Sequence, residues 1–199
     1  MTAQEMPRSA ASREKLLRAA ADELAETGEL EVAAAARRAG MSTGLPYRYF
    51  GTRSGLLIAV LDAFYERLGE AAALREYEAA TWSEREQQRI RDWVAFLYAE
   101  PLAPVVLGGL GGDAEVAGAH TRQLHALIDL GARNLARAQH AGEIPADRDP
   151  ELLAAATLGG TNAVISVALT RSPRPAAQDI VAQLWAFVAG AVGLASSSS

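Results

Sequence analysis

The sequence predicts an all-α protein. Three observations carry this. Apolar residues recur at helical spacing almost throughout the 199 residues, glycine and proline punctuate those runs at helix length, and no run alternates with the period of a strand. No internal repeat is visible.

The first helix has Ser12 as a candidate N-cap and Leu17, Ala20, Ala21, Leu24 and Ala25 on one face, with Gly28 as the left-handed residue that ends it. A second short helix from about Glu31 to Ala39 turns Val32, Ala35, Ala36 and Ala39 inward and stops at Gly40. A third is expected from Ser42 to Phe50. A fourth starts near Thr52 with Leu56, Leu57, Val60, Leu61 and Phe64 on one stripe, and it should run well past Leu68, because no proline interrupts Glu66 to Glu86. The next helix turns Ile90, Trp93, Val94 and Leu97 inward and stops before Pro101. A short apolar helix fits within Pro101 to Gly112. A long helix runs from about Asp113 to His140 and breaks at Gly142 and Pro145. Asp149 then caps a helix that has Pro150 at its first position and Leu152 to Leu169 as its body. After the loop Ser172 to Pro175, a last helix fades into residues 196–199.

Composition narrows the function classes. There is no cysteine, which excludes disulfides, thiol nucleophiles and cysteine zinc sites. Met1 to Ser12 lacks the apolar core of a signal peptide, so a cytoplasmic protein is expected. Leu152–Leu169 and Ile180–Ala195 approach the length of a membrane span. Thr157, Thr161, Asn162, Ser166 and Gln183 interrupt them, however, and only a short loop with two arginines separates them. They are read as helices of a soluble core, with no membrane partner. The net charge is −5, yet between Glu31 and Arg53 four arginines face a single glutamate. A small basic patch on an acidic body suits selective contact with a polyanion. With Lys15 the only lysine and alanine abundant, the arginine bias also fits a GC-rich coding sequence.

Val32 to Phe50 is the informative stretch. Two short helices packed at a steep angle need a small residue at their crossing, a residue tolerant of positive φ in the turn, and an apolar plug after it. Ala36, Gly40 and Met41 meet those needs at the required spacing, and Ser42 can cap the second helix. By spacing alone this is either a helix-turn-helix or an ordinary helical hairpin.

The ordered run Ala39-Gly40-Met41-Ser42-Thr43-Gly44-Leu45-Pro46-Tyr47-Arg48-Tyr49-Phe50, followed by Gly51-Thr52-Arg53-Ser54-Gly55-Leu56-Leu57, resembles the signature of the TetR (tetracycline-repressor-like) family of transcriptional regulators. The opening Ser12-Arg13-Glu14-Lys15-Leu16-Leu17 and Gly28 match as well. The resemblance is sharp over about Ser12 to Leu68 and architectural beyond. It implies an N-terminal three-helix helix-turn-helix DNA-binding domain over 9–69 and a larger helical effector-binding and dimerisation domain over 70–195. Two positions depart from the pattern. Glu31 stands where the family commonly has a phosphate-binding serine or threonine, in a loop shortened by a residue or two. Pro46 stands where leucine is usual. A carboxylate suits a helix N-terminus but repels phosphate. A proline in the first helical turn sacrifices little and fixes the helix entry.

The resemblance implies a homodimer that reads a pseudo-palindromic double-stranded DNA operator, most simply as a repressor that a small, partly hydrophobic effector releases. A recognition helix enters the major groove N-terminus first. The expected DNA-binding residues are therefore Ser42, Thr43, Gly44, Leu45, Tyr47, Arg48 and Arg53. Tyr49 and Phe50 are expected in the core, and Arg37 and Arg38 as solvated charges. Candidate effector contacts are Trp82, Trp93, Phe96, Tyr98, His120, His125 and Asn134, with Gly108–Gly112 as a gate. The last two helices are the expected dimer interface: Ala156, Gly159, Gly160 and Ala163 form a small-residue strip, and Leu184, Phe187, Val188 and Val192 can cover a neighbour. No enzyme motif, metal site or cofactor is expected. His120 and His125 are five residues apart, about 140° around a helix, and although Asp129 could orient His125, no nucleophile stands nearby. The alternative is an all-helical small-molecule-binding or interaction module that no longer binds DNA.

Overall fold

A computed structural model describes residues 5–110 and 113–194. It contains α1 (Glu5–Thr27), α2 (Val32–Arg38), α3 (Leu45–Phe50), α4 (Arg53–Leu68), α5 (Trp82–Ala99), α6 (Ala103–Gly108), α7 (Ala114–His140), α8 (Pro150–Thr170) and α9 (Ala177–Ala191). The described residues form no strand. The end of the second expected domain at Ala195, the serine tail, and Gly111 and Gly112 of the expected gate lie outside the described residues.

Helix α1 buries two faces. Ala20 and Leu24 join the main core, while Leu16 and Ala19 pack with Ala39 in a separate cluster that Met41, Tyr49 and Phe50 cover. The short helices α2 and α3 thus share one long support, and α1 begins at Glu5, leaving Ser12 inside it rather than at its cap. No glycine and no late proline separates Glu5 from Ser12, so nothing stops the helix from extending.

Helix α2 buries Val32, Ala35 and Ala36 and ends on Gly40 at φ 66°. The Gly40 amide donates to the Arg37 carbonyl and the Met41 amide to the Ala36 carbonyl, both at 2.9 Å. This is a Schellman closure, which glycine's freedom at positive φ allows. Helix α3 starts at Leu45, not Ser42. Pro46 has no amide to offer the Ser42 carbonyl, so that carbonyl accepts the Leu45 amide at 3.1 Å instead. Ser42 to Gly44 are left as a turn ahead of the helix.

Helix α4 opens with Thr52 accepting the Gly55 amide at 2.9 Å and buries Leu56, Leu57, Val60, Leu61, Phe64 and Leu68. It does not run far past Leu68. One wide turn, Gly69–Ala73, closes with the Leu74 amide on the Gly69 carbonyl, and the chain then extends to Thr81. Contacts from α5 hold this extended segment. Arg89 donates to the carbonyls of Ala72 and Ala73, and Asp92 binds both Arg75 at 2.8 Å and the Tyr77 hydroxyl at 2.9 Å. Thr81 and Glu84 form a reciprocal capping box that starts α5.

The long helix α7 is capped by Asp113 and α8 by Asp149, each carboxylate accepting two backbone amides. Helix α4 lies along α7 and meets it through three polar contacts. Ser54 donates to Asp113, Gln123 donates to Asp62 at 2.8 Å, and His120 Nε2 is 2.8 Å from the Tyr65 hydroxyl. Burial keeps His120 below its usual pKa and raises that of Tyr65, so this last contact is between neutral groups.

Candidate nucleic-acid interface and cavity

Ser42, Thr43, Gly44, Tyr47 and Arg48 are exposed and contiguous at the start of α3, with Leu45 half-buried beside them. Pro46 is buried, and Tyr49 and Phe50 are half-buried against the Leu16–Ala19–Ala39 cluster. The short helix is therefore anchored by one face while the opposite face points outward. Nothing lies within 4 Å of where a Gly44 side chain would begin, so the backbone there is open to close approach.

The cations around α3 differ in how free they are. Arg48 is exposed, and no side-chain hydrogen bond or ion pair engages it among the described residues. Arg38 is held by Glu26 at 2.7 Å and Glu23 at 3.3 Å, and the Glu26 pairing holds the Glu26 carboxyl below its usual range. It stays at the surface, as the sequence suggested, but is paired rather than free. Arg37 is exposed, 3.9 Å from Glu31, which stands at the start of α2 without a side-chain cap bond. Arg53 donates through Nε to the Leu30 carbonyl at 3.0 Å, tying the α4 N-terminus to the loop before α2. Two neighbours escaped the sequence reading. Arg13 stacks over the Phe50 ring at 4.8 Å, and the exposed Lys15 stands beside the Gly40 turn.

A cavity of about 710 Å³ opens between α5, α7, α8 and the extended segment after α4, within the range of small-molecule sites. Ile90, Leu127, Leu130, Leu135 and Leu158 supply apolar wall, with Val188 and Val192 from the α9 end. Arg85, Glu86, Arg89, Asn134 and Glu143 supply a polar side, each already engaged. Asn134 donates to Glu86 at 3.1 Å, as does Arg89 Nε, and Arg85 meets Glu143 at 2.8 Å. The Trp82 amide, then Arg85, hold the Glu143 carboxyl below its usual range. Trp82 and Trp93 also line the cavity, and their buried indole nitrogens have no protein acceptor. An unsatisfied buried donor costs about 1–3 kcal/mol.

Of the expected effector contacts, then, Trp82, Trp93 and Asn134 meet at one cavity. Phe96 packs edge-on to Phe64 at 5.7 Å, His125 is exposed, and Tyr98 lies under Arg174. His120 borders a second, smaller space between α6, α7 and α8. Tyr77, Arg85, Glu86, Arg89 and Glu143 were missed, because the stretch around them reads as plain polar surface. Only the tertiary fold turns it over the cavity.

One face remains uncovered. Leu152 is 72% exposed, Val167 53% and Phe187 42%. By length and composition α8 could cross a membrane, but only 33% of its apolar stretch is buried within this chain. It is not buried as a core helix within this chain; the other expectation for it is a dimer interface. Ala156, Gly159 and Ala163 are exposed beside these residues, while Gly160 serves α9: a Cβ there would lie 2.6 Å from the Phe187 ring.

Solved structures share this architecture over nearly the whole chain. A protein described as a TetR-family transcriptional regulator from Rhodococcus sp. superposes with TM-score 0.80 at 20% identity, covering 92% of this chain and 100% of its own. The fold is that of the TetR-family regulators. FadR from Bacillus subtilis, solved with stearoyl-CoA, aligns with TM-score 0.74 and 21% identity over 92% of this chain and 99% of its own. RolR, solved with resorcinol, aligns with TM-score 0.64 and 22% identity over 96% of each chain. No family model matches the sequence, and no curated protein does. The TetR fold supplies the frame in which the exposed α3, the cavity and the bare α8–α9 face acquire meaning.

Proposed function

We propose that the protein is a ligand-responsive transcriptional regulator of the TetR type, a cytoplasmic homodimer that binds an operator through residues 9–69 and an effector through residues 70–195. The observation that carries this reading is the outward, unpaired face of α3, held by its opposite face in a chain of this fold. Thr43, Gly44 and Leu45 lead into the major groove, Arg48 reaches a guanine or a phosphate, and Ser42, Tyr47 and Arg53 grip the backbone. One such helix spans too few bases to specify a site, so two protomers joined through Leu152, Val167 and Phe187 read two half-sites.

Coupling runs through α7. Its Leu127, Gly131 and Asn134 border the cavity, and its Asp113, His120 and Gln123 hold α4. A ligand that favours one setting of α7 carries α4, and with it α3, to one spacing of the reading heads, while DNA selects another. Repression in the ligand-free state with release on binding is the simplest form. FadR with stearoyl-CoA and RolR with resorcinol give a precedent for ligands in this fold. No catalytic step is assigned to any residue.

Selection of DNA from a random pool, with candidate ligands absent and then present, tests the proposal. Recovery of a two-fold-symmetric sequence whose affinity a ligand alters supports it. Failure to enrich any sequence at low salt refutes it. A second reading, a helical binding module without DNA, draws on Glu31 at the start of α2 and on the capture of Arg38 by Glu23 and Glu26. Ligand binding without any salt-dependent DNA binding would favour it.

A further inference from the structure

We infer that the effector is an uncharged, mainly apolar molecule with a hydrogen-bond-accepting oxygen, such as a ketone, ester or ether, which Trp93 or Trp82 binds through its indole N–H. The inference rests on reading the α5–α7–α8 cavity as the effector site, and it names the class of molecule.

Two features of the wall select this class. The first is charge balance. Four arginines line the cavity (Arg75, Arg85, Arg89 and Arg137) and four glutamates match them (Glu76, Glu78, Glu86 and Glu143). The half-buried part of this set is closed: Arg85 is on Glu143, and Arg89 is on Glu86 and on backbone carbonyls. Arg75 is taken by Asp92, while Arg137, Glu76 and Glu78 are exposed. A carboxylate or ammonium ligand would have to break one of these pairs, keep its charge out at the exposed Arg137, Glu76 or Glu78, or enter the apolar end without a counter-charge, and burying an unpaired charge is costly. The second is the sign of the unmet hydrogen-bonding capacity. The buried side-chain polar atoms without partners on this wall, among the described residues, are both donors, the indole nitrogens of Trp82 and Trp93. Indole N–H can only donate, so the complementary group is an acceptor. The two tryptophans are eleven residues apart on α5, about 16 Å along its axis and nearly in line. A short ligand therefore satisfies one of them, and an extended ligand with an oxygen at each end satisfies both.

The test uses the full chain without DNA and three probes of one length, 2-undecanone, undecanoate and undecylamine, measured by isothermal titration calorimetry. The ketone is expected to bind the unmodified protein at least about tenfold more tightly than either charged probe, the equivalent of about 1.4 kcal/mol. At least one of Trp93→Phe and Trp82→Phe should weaken ketone binding by about three- to tenfold, the loss of one buried hydrogen bond. The comparison of probes on the unmodified protein stands even if a variant fails to fold. Undecanoate or undecylamine binding as well as the ketone, no ketone binding, or a ketone affinity unchanged in both variants would overturn the assignment. Any of these leaves the regulatory reading in place, since that reading fails separately, if the ligand-free protein binds no DNA.

Discussion

Gly55→Ala probes the joint on which α3 is mounted. A Cβ at Gly55 would fall inside contact distance of the Phe50 carbonyl oxygen, 3.3 Å from the Phe50 carbonyl carbon and 3.4 Å from Thr52 Oγ1. Backbone is the obstacle, so no rotamer change relieves it. Either the last residue of α3 moves outward, or the first turn of α4 opens and loses the cap that Thr52 provides to the Gly55 amide. The first route is an overpacking cost of about 1–3 kcal/mol, and the second forfeits a cap worth about 1 kcal/mol. For a chain of this size that lowers the melting temperature by about 2–12 °C. Because the first route tilts α3 and the second loosens the turn that joins α3 to α4, affinity for the selected operator should fall along with stability. Thermal unfolding followed by circular dichroism, paired with fluorescence anisotropy on labelled duplex, reads the two together. A Gly55→Ala protein with unchanged melting temperature and unchanged DNA affinity would refute the geometry assigned to this joint.

The remaining predictions concern other links. Gly44→Ala should leave stability unchanged or slightly raised, since the site is open and its φ of −84° suits alanine, yet weaken DNA binding in anisotropy titrations; an unaltered affinity would place the duplex elsewhere. Arg48→Ala should cost about 1–3 kcal/mol of sequence discrimination if the arginine reads guanine, or reduce the salt slope by about 0.9 if it holds a phosphate. Arg38→Ala, whose charge Glu23 and Glu26 already hold, should do neither. Leu152→Glu combined with Val167→Glu should yield a folded monomer by light scattering, and a persisting dimer would move the interface away from α8. Burial keeps His120 below its usual pKa, so the unfolded chain takes up the proton first. The stability that neutral His120 contributes is complete above about pH 6.5 and is lost as pH falls through the lower folded-state value. Urea midpoints between pH 7.5 and 5 should show that decline, His120→Gln should flatten it, and a variant with the same slope would clear His120 of the effect.

Much of this was legible in the chain because the deciding interactions are local. Gly28, Gly40, Asp149 with Pro150, and the Leu56–Phe64 stripe act within a turn or two of sequence, and each stands where its spacing indicated. The misplaced ends have local causes as well: Ser42 loses its cap because Pro46 cannot donate, and Thr81 with Glu84 is a capping signature open to reading. What could not be read depends on distant partners. Nothing near Tyr77 or Arg75 shows that Asp92 will pull the segment after Leu68 out of helix, or that Arg85 and Glu143, far apart in the chain, will close one side of a cavity. For α8 the sequence raised the choice without deciding it, because an apolar run reads the same whether its own chain or another copy covers it.

The claim on which the account most depends is that α3 presents a DNA-reading surface. Its most direct test is hydroxyl-radical footprinting of the ligand-free protein on the selected duplex, at low and then at moderate salt. The account predicts two protected patches about one helical turn or a multiple apart, fading as salt rises and weaker for Arg48→Ala at the same protein concentration. Uniform protection along the duplex, or the same footprint from Arg48→Ala, would contradict it.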